Sequence, residues 1–215
     1  MNRHKYKMLV FDMDGVILDS EPLHEYAKKR ILQDYNISPN IDLFWSVGNP
    51  NIVLWRKIIT EYKISSTPEE LEQKQYEYII EQLEEQNVKA SNGIEELLNW
   101  AKRNEFLIGL ASSSNRYFVD YVLHFLKIKD YFEYTIAGDE VTHKKPKPDV
   151  YLAIIDMADI LPSQVIAIED SSSGIKAAVE AGISCIGYQN PTSGKQDLGL
   201  AEHIITALDE VQEYI

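Results

Sequence analysis

The chain has 215 residues, 45% of them apolar and 26% charged, and 21 Lys+Arg against 34 Asp+Glu leave a formal charge of −13. At roughly 150 residues per domain this is about 1.4 domains, long enough to bury a core without disulfides or a structural metal. The composition excludes disordered and collagen-like chains, and the acidity argues against general nucleic-acid binding and against an anionic membrane surface.

Residues 1–7 are basic, but the apolar run that follows, Met8 to Phe11, is too short for a signal peptide. Nothing approaches the length of a membrane span. Cys185 is the single cysteine, so no intrachain disulfide is possible; it reads as a small buried hydrophobe in a reducing cytoplasm.

The first predicted strand is residues 8–11. Residues 20–90 then contain no convincing strand. Pro39, Pro50 and Pro68 punctuate three helical stretches, and Thr67-Pro68-Glu69-Glu70 is a capping box with proline at the first helical position. From residue 91 onward strands and helices alternate. Short apolar runs at 106–111, 134–137, 165–168 and 185–188, and a weaker one at 203–205, read as strands buried on both faces. Helical stripes lie between them: Ile94, Leu97, Leu98 and Ala101; Phe118, Val122 and Phe125; and Ile175, Ala178 and Val179, with Gly182 as a stop. The predicted fold is α/β, a doubly wound parallel sheet formed by residues 1–19 and 91–215, with an α-helical domain of residues 20–90 inserted after the first strand.

Four constellations each follow a strand, where open α/β sheets bind ligands. Asp12-Met13-Asp14-Gly15 places two carboxylates two residues apart, which alone suits a cap and turn as well as a site. Ser112-Ser113-Ser114-Asn115 offers hydroxyls and amides at a helix start, for a phosphate or for an N-cap. Lys144-Lys145-Pro146-Lys147-Pro148-Asp149 holds a lysine in a stiff loop, delivered to a site or simply solvated. Glu169-Asp170 puts adjacent acids at the end of a buried strand, where their mutual repulsion calls for a cation and their hard oxygens suit Mg²⁺.

In this order, Asp12-Met13-Asp14-Gly15-Val16, Ser112, Lys145-Pro146-x-Pro148-Asp149 and Glu169-Asp170-Ser171-x-x-Gly174 together resemble the haloacid dehalogenase-like superfamily. The likeness spans the whole chain and is nearest to the β-phosphoglucomutase-like branch, with its helical cap. The resemblance implies Asp12 as nucleophile and Asp14 as general acid and base. It implies Mg²⁺ held by Asp12, the Asp14 carbonyl and Asp170, with Glu169 acting through water. Lys145 and Ser112 would hold phosphoryl oxygens, and Ser114, Asn115 and Arg116 would contact a second phosphate. The second acid, Asp14, favours phosphoryl transfer over dehalogenation, since halide needs no proton.

In the cap, His24 matches a histidine that couples closure to the general acid, and Lys74 matches a substrate-reading lysine. The loop of residues 47–51 matches the specificity loop. Asn51 stands roughly where the mutase has an arginine for its second phosphate, and a neutral amide makes no bidentate phosphate pair. Trp45, Trp55, Tyr76 and Tyr78 read as packing. The expectation is a cytoplasmic, monomeric, Mg²⁺-dependent phosphatase of a small phosphorylated metabolite, such as a sugar phosphate. The alternative is β-phosphoglucomutase chemistry between β-glucose 1-phosphate and glucose 6-phosphate.

Overall fold

The structure, a computed structural model, describes residues 5–43 and 51–215. Trp45 and residues 47–50 of the proposed specificity loop lie outside them. Two compact units are present, Met1–Asp19 with Ala90–Ile215, and Ser20–Lys89.

The first unit is built on β1 (Met8–Phe11), β2 (Leu107–Ala111), β3 (Tyr134–Ile136), β4 (Val165–Glu169), β5 (Ser184–Tyr188) and β6 (His203–Ile205). All pairings are parallel, in the order β3-β2-β1-β4-β5-β6. The order reverses between β2-β1 and β4, the arrangement that opens a crevice beyond the strand ends. All four β1 residues are buried, which explains their unbroken apolar run. Met8 and Val10 share one core cluster with Val165 and Ala167 of the next strand and with Ile154 and Ile175 from the helices. Leu9 and Phe11, alternating with them, point to the other face.

The helices of this unit are α4 (Ile94–Arg103), α5 (Arg116–Phe125), α6 (Asp149–Ala158) and α7 (Ser172–Glu180). α4 buries the expected stripe of Ile94, Leu97, Leu98 and Ala101. On α7 the stripe differs from expectation: Val179 is exposed and Ala177 is buried in its stead, beside Gly174, Ile175 and Ala178. Gly182 does turn the chain, with φ +77°. Helix α6, of sequence DVYLAIIDMA, buries Val150, Tyr151, Ile154 and Ile155 along one face and exposes Leu152 and Met157.

The helical unit contains α1 (Glu21–Asp34), α2 (Asn51–Tyr62) and α3 (Pro68–Gln86). Ile31, Leu32, Leu54, Trp55, Ile58 and Leu71 form its core. The capping box is formed in full: Thr67 Oγ1 accepts from the Glu70 amide at 3.2 Å, and Glu70 accepts from the Thr67 amide at 3.0 Å. Among the described residues, no helix is long and apolar enough to cross a membrane.

Candidate active site

Three neighbouring strands end together. Asp12 follows β1, Ser112 follows β2, Glu169 closes β4 and Asp170 follows it. The Asp12 amide donates to the Ile168 carbonyl at 3.0 Å, which ties the first turn to β4. Lys145 reaches this edge from the loop between β3 and α6. Its ammonium donates to Asp12 Oδ1 at 2.6 Å, Glu169 Oε1 at 2.6 Å and the Ala111 carbonyl at 2.7 Å. An ammonium has three N–H donors, and all three are used. Burial disfavours its charge, but the Asp12 and Glu169 carboxylates outweigh burial and hold the lysine above its ordinary pKa. Burial likewise pushes the Asp12 carboxyl well up; Lys145 opposes that rise, and Glu169, Asp170 and Asp14 add to it. Tyr151, from α6, donates to Glu169 Oε1 at 2.6 Å. The sequence offers only a general hint of this contact: a tyrosine hydroxyl carried into the core needs an acceptor.

Asp14 sits in a different setting. It is half-buried, and Ser114 Oγ donates to its Oδ2 at 2.8 Å. Ser112 Oγ accepts from the Ser114 amide at 3.0 Å, which leaves the Ser112 hydroxyl hydrogen available. Asn115 caps α5, its side chain accepting from the Phe118 amide at 2.9 Å. Two glycines are fixed by the acids. Gly15 has φ +87°, and the Asp170 carboxylate occupies the space a Cβ would need. At Gly174 the Glu169 carboxylate does the same, so the glycines of both motifs make room for acids at close quarters.

The loop after β5 closes the arrangement from far along the chain. Asn190 Nδ2 donates to the Gly15 carbonyl at 2.9 Å, Thr192 Oγ1 donates to Asp19, and Ser193 Oγ donates to Asp170 Oδ2. Asn190 and Ser193 are buried. Burial, reinforced by Glu169, pushes the Asp170 carboxyl up to about 7, against the opposing Ser193 hydrogen bond. Motif reading does not reach these residues, which come from an irregular segment.

In the helical unit, Trp55 Nε1 donates to Gln75 Oε1 at 2.8 Å. An indole N–H can only donate, so the Gln75 amide nitrogen must face the other way. It lies 2.7 Å from His24 Nδ1 and 3.2 Å from Asn51 Oδ1. His24 Nδ1 is therefore the acceptor, and the proton of the neutral ring is on Nε2. Asn51 serves this network. Lys74 is bound by Asp34 at 2.7 Å and lies near the Tyr35 and Tyr78 rings. Lys28, on the same helix as His24, is buried.

The core unit has a donor set that fits a hard cation. Ligand oxygens of Asp12, Glu169 and Asp170 lie within 4.8 Å of one another and all three residues are buried. Asp12 Oδ2 and Asp170 Oδ1 have no protein donor among the described residues, so they remain available to a cation. Three buried acids against one ammonium leave an excess of negative charge that a divalent ion would relieve.

The chain belongs to the haloacid dehalogenase-like hydrolases, whose family pattern matches residues 9–188, and to their β-phosphoglucomutase-like branch. It is 30% identical over 179 residues to the phosphorylated carbohydrates phosphatase of Thermotoga maritima, covering 83% of this chain and 82% of that one. It is also 30% identical to the fructose-1-phosphate phosphatase of Escherichia coli, covering 85% of this chain and 96% of the other. The crystal structure of β-phosphoglucomutase from Clostridium difficile superposes with a TM-score of 0.78 at 25% identity, over 97% of this chain and 96% of that one.

Proposed function

We propose that the protein is a Mg²⁺-dependent phosphatase of a small phosphorylated metabolite, most closely a sugar phosphate. The observation that carries the reading is the contrast between two aspartates two residues apart. Asp12 is buried against the Lys145 ammonium, and Asp14 is half-buried under the Ser114 hydroxyl. Two carboxylates in unlike environments suit unlike roles.

In this reading Asp12 attacks phosphorus and forms an aspartyl-phosphate while the bond to the leaving oxygen breaks. Asp14, protonated at the start, gives its proton to that oxygen. It then takes a proton from the water that attacks phosphorus, and Asp12 is released. As Asp12 loses its charge to the ester, the Lys145 bond on Oδ1 passes to a phosphoryl oxygen, and the Ser112 hydroxyl holds another. Ser114 keeps Asp14 aimed. Asp12, the Asp14 carbonyl and Asp170 would hold Mg²⁺, with Glu169 acting through water; when bound, the ion offsets the charge of the phosphoryl group. The helical unit acts as the cap that excludes water and reads the leaving group, with His24 and Asn51 held by Gln75 and with Lys74 contributing where its Asp34 pair allows. The acidity of the chain fits a small-molecule substrate and a monomer that binds neither nucleic acid nor membrane.

The test is phosphate release from a panel of phosphorylated metabolites with Mg²⁺. Activity is expected on at least one small ester, to be lost on chelation, and to fall about ten-thousandfold or more in Asp12→Asn. Full turnover by Asp12→Asn would overturn the reading. Glucose 6-phosphate appearing from β-glucose 1-phosphate faster than free phosphate would replace hydrolysis with the mutase reaction, which the same residues support.

A further inference from the structure

Arg116 opens α5 and follows directly on the serine loop of residues 112–115. Its guanidinium has five N–H donors, and all five find acceptors within the α/β unit. Nε donates to Glu140 Oε1 at 3.2 Å. Nη2 donates to the Thr135 carbonyl at 2.9 Å and to Glu140 Oε2. Nη1 donates to Thr135 Oγ1 at 3.0 Å and to Asp120 Oδ1 at 3.4 Å. The Arg116 amide donates to Asp139 Oδ1 at 2.8 Å. Glu140 is tied down in return, since its Oε2 also accepts from the Ala137 amide at 2.8 Å. Burial opposes the Glu140 charge, but the arginine and the Ala137 amide outweigh burial and hold the carboxyl below its ordinary pKa. With every donor taken, Arg116 has none left for the second phosphate that the family resemblance would give it.

The pair instead fastens two loops together. Residues 112–115 leave β2, and residues 137–140 leave β3. Their backbones touch: the Gly138 amide donates to the Ser114 carbonyl at 2.7 Å, and a Cβ at Gly138 would lie 2.2 Å from the Ser113 carbonyl oxygen. The two buried serines are held in different ways. The Ser112 amide donates to the Ile136 carbonyl at 3.0 Å, which continues the β2–β3 pairing, so the sheet itself fixes Ser112. Ser114 lies beyond the ladder. Its carbonyl rests on Gly138, in a segment folded around the arginine, and its hydroxyl donates to Asp14 Oδ2 at 2.8 Å. An exposed ion pair of the ordinary kind holds little, but a bidentate fork fixes direction as well as distance.

We propose that Arg116 and Glu140 are positioning residues for the general acid: their fork sets Ser114, and Ser114 sets Asp14. This rests on the phosphatase reading above. Neither residue touches the substrate. The effect is selective, because it reaches Asp14 and bypasses Ser112, Lys145 and Asp12. Protonation of the leaving oxygen is what the fork supports, so only esters whose leaving group needs that proton depend on it.

The experiment compares kcat/KM with Mg²⁺ on two esters. One is p-nitrophenyl phosphate, whose phenolate leaves without a proton. The other is the alkyl phosphate of the metabolite panel that the wild type hydrolyses fastest. This constant covers the steps up to phosphoryl transfer to Asp12 and leaves out the later water step. The ratio of alkyl to aryl ester is also independent of how much variant folds. In Arg116→Gln and in Glu140→Gln the ratio should fall about ten- to hundredfold, by similar amounts. Ser114→Ala should lower it as far, and adding either change to Ser114→Ala should move it by no more than about twofold. A loss shared equally by both esters marks a merely structural pair and overturns the proposal. So does a fall in Arg116→Gln that Glu140→Gln does not share, which would make the arginine a substrate ligand. A further tenfold fall in the Ser114→Ala background overturns it as well, since the fork would then act by another route. Each of these leaves the phosphatase reading intact. A wild type that hydrolyses no alkyl phosphate overturns both.

Discussion

Two lysines are almost equally hidden, Lys145 at 5% exposure in the α/β unit and Lys28 at 6% in the helical unit, and their pKa values move in opposite directions. Around Lys145, two carboxylates and a carbonyl use every donor, and their attraction exceeds the desolvation it opposes. Around Lys28 desolvation prevails. The lesson is that burial does not decide the state of a charge; the count of oxygens within hydrogen-bond reach does. The two units use enclosed charge differently. One holds a saturated cluster whose acids stand ready for a cation, and the other holds a buried ammonium with no ion pair among the described residues.

The largest effect should come from emptying the saturated cluster. Lys145→Met leaves Asp12 and Glu169 without a counter-charge, and should cost about 3–5 kcal/mol of stability, read by urea unfolding without added metal. Turnover should fall about a thousandfold as well. A variant as stable as the wild type would mean that the acids share protons and that the ammonium is not what holds them.

Next comes the support behind the acids. Ser193→Ala removes the hydroxyl that orients Asp170, and the dissociation constant for Mg²⁺, measured by calorimetry without substrate, should rise about ten- to a hundredfold. Ser193→Thr should recover most of it. Unchanged Mg²⁺ affinity in the alanine variant would show that Asp170 needs no such support.

The reverse sign is expected for the unsatisfied lysine. Lys28→Met should stabilise the protein by about 1–3 kcal/mol at neutral pH. Because burial lowers the Lys28 pKa, the unfolded chain binds the proton more tightly than the folded one. The penalty is therefore full below the folded-state pKa and disappears as pH rises toward the ordinary lysine value of 10.5. The gain from Lys28→Met should shrink from pH 7 toward pH 10, and a gain independent of pH would assign it to packing alone. The smallest effect belongs to the half-exposed pair of Lys74 and Asp34. Lys74→Met should change stability by less than about 1 kcal/mol, and by less still in high salt.

Much of the α/β unit was readable in advance for one physical reason. Parallel strands covered on both faces must be continuously apolar, so the run from Met8 to Phe11 and its counterparts announced themselves. Helix α6 was less plain, because the exposed apolar residues Leu152 and Met157 blur the stripe of Val150, Tyr151, Ile154 and Ile155 that it buries. The acids and Lys145 were legible because each acid follows or ends a strand and the lysine precedes two prolines in a fixed local pattern. Ser193, Asn190 and Tyr151 were not, because their contacts join distant segments, Ser193 lying 23 positions after Asp170 and Asn190 lying 175 positions after Gly15. Nothing in the sequence singles out Lys28 either; its neighbours Lys29 and Arg30 are partly exposed, and only the four-residue spacing from His24 sets Lys28 apart.

The central place of β1 in the sheet has a consequence for synthesis. β1 is made before both of its neighbours: β2 is complete at Ala111, and β4 is not finished until Glu169. Until then a fully apolar strand waits, with both edges unpaired before β2 emerges and one edge unpaired after it, while the helical unit, complete by residue 89, can already fold from local contacts. The nascent chain thus exposes its most aggregation-prone segment for most of its elongation, and ribosome-bound chains stopped short of β4 should be clients of holding chaperones, whereas chains released beyond β5 should not.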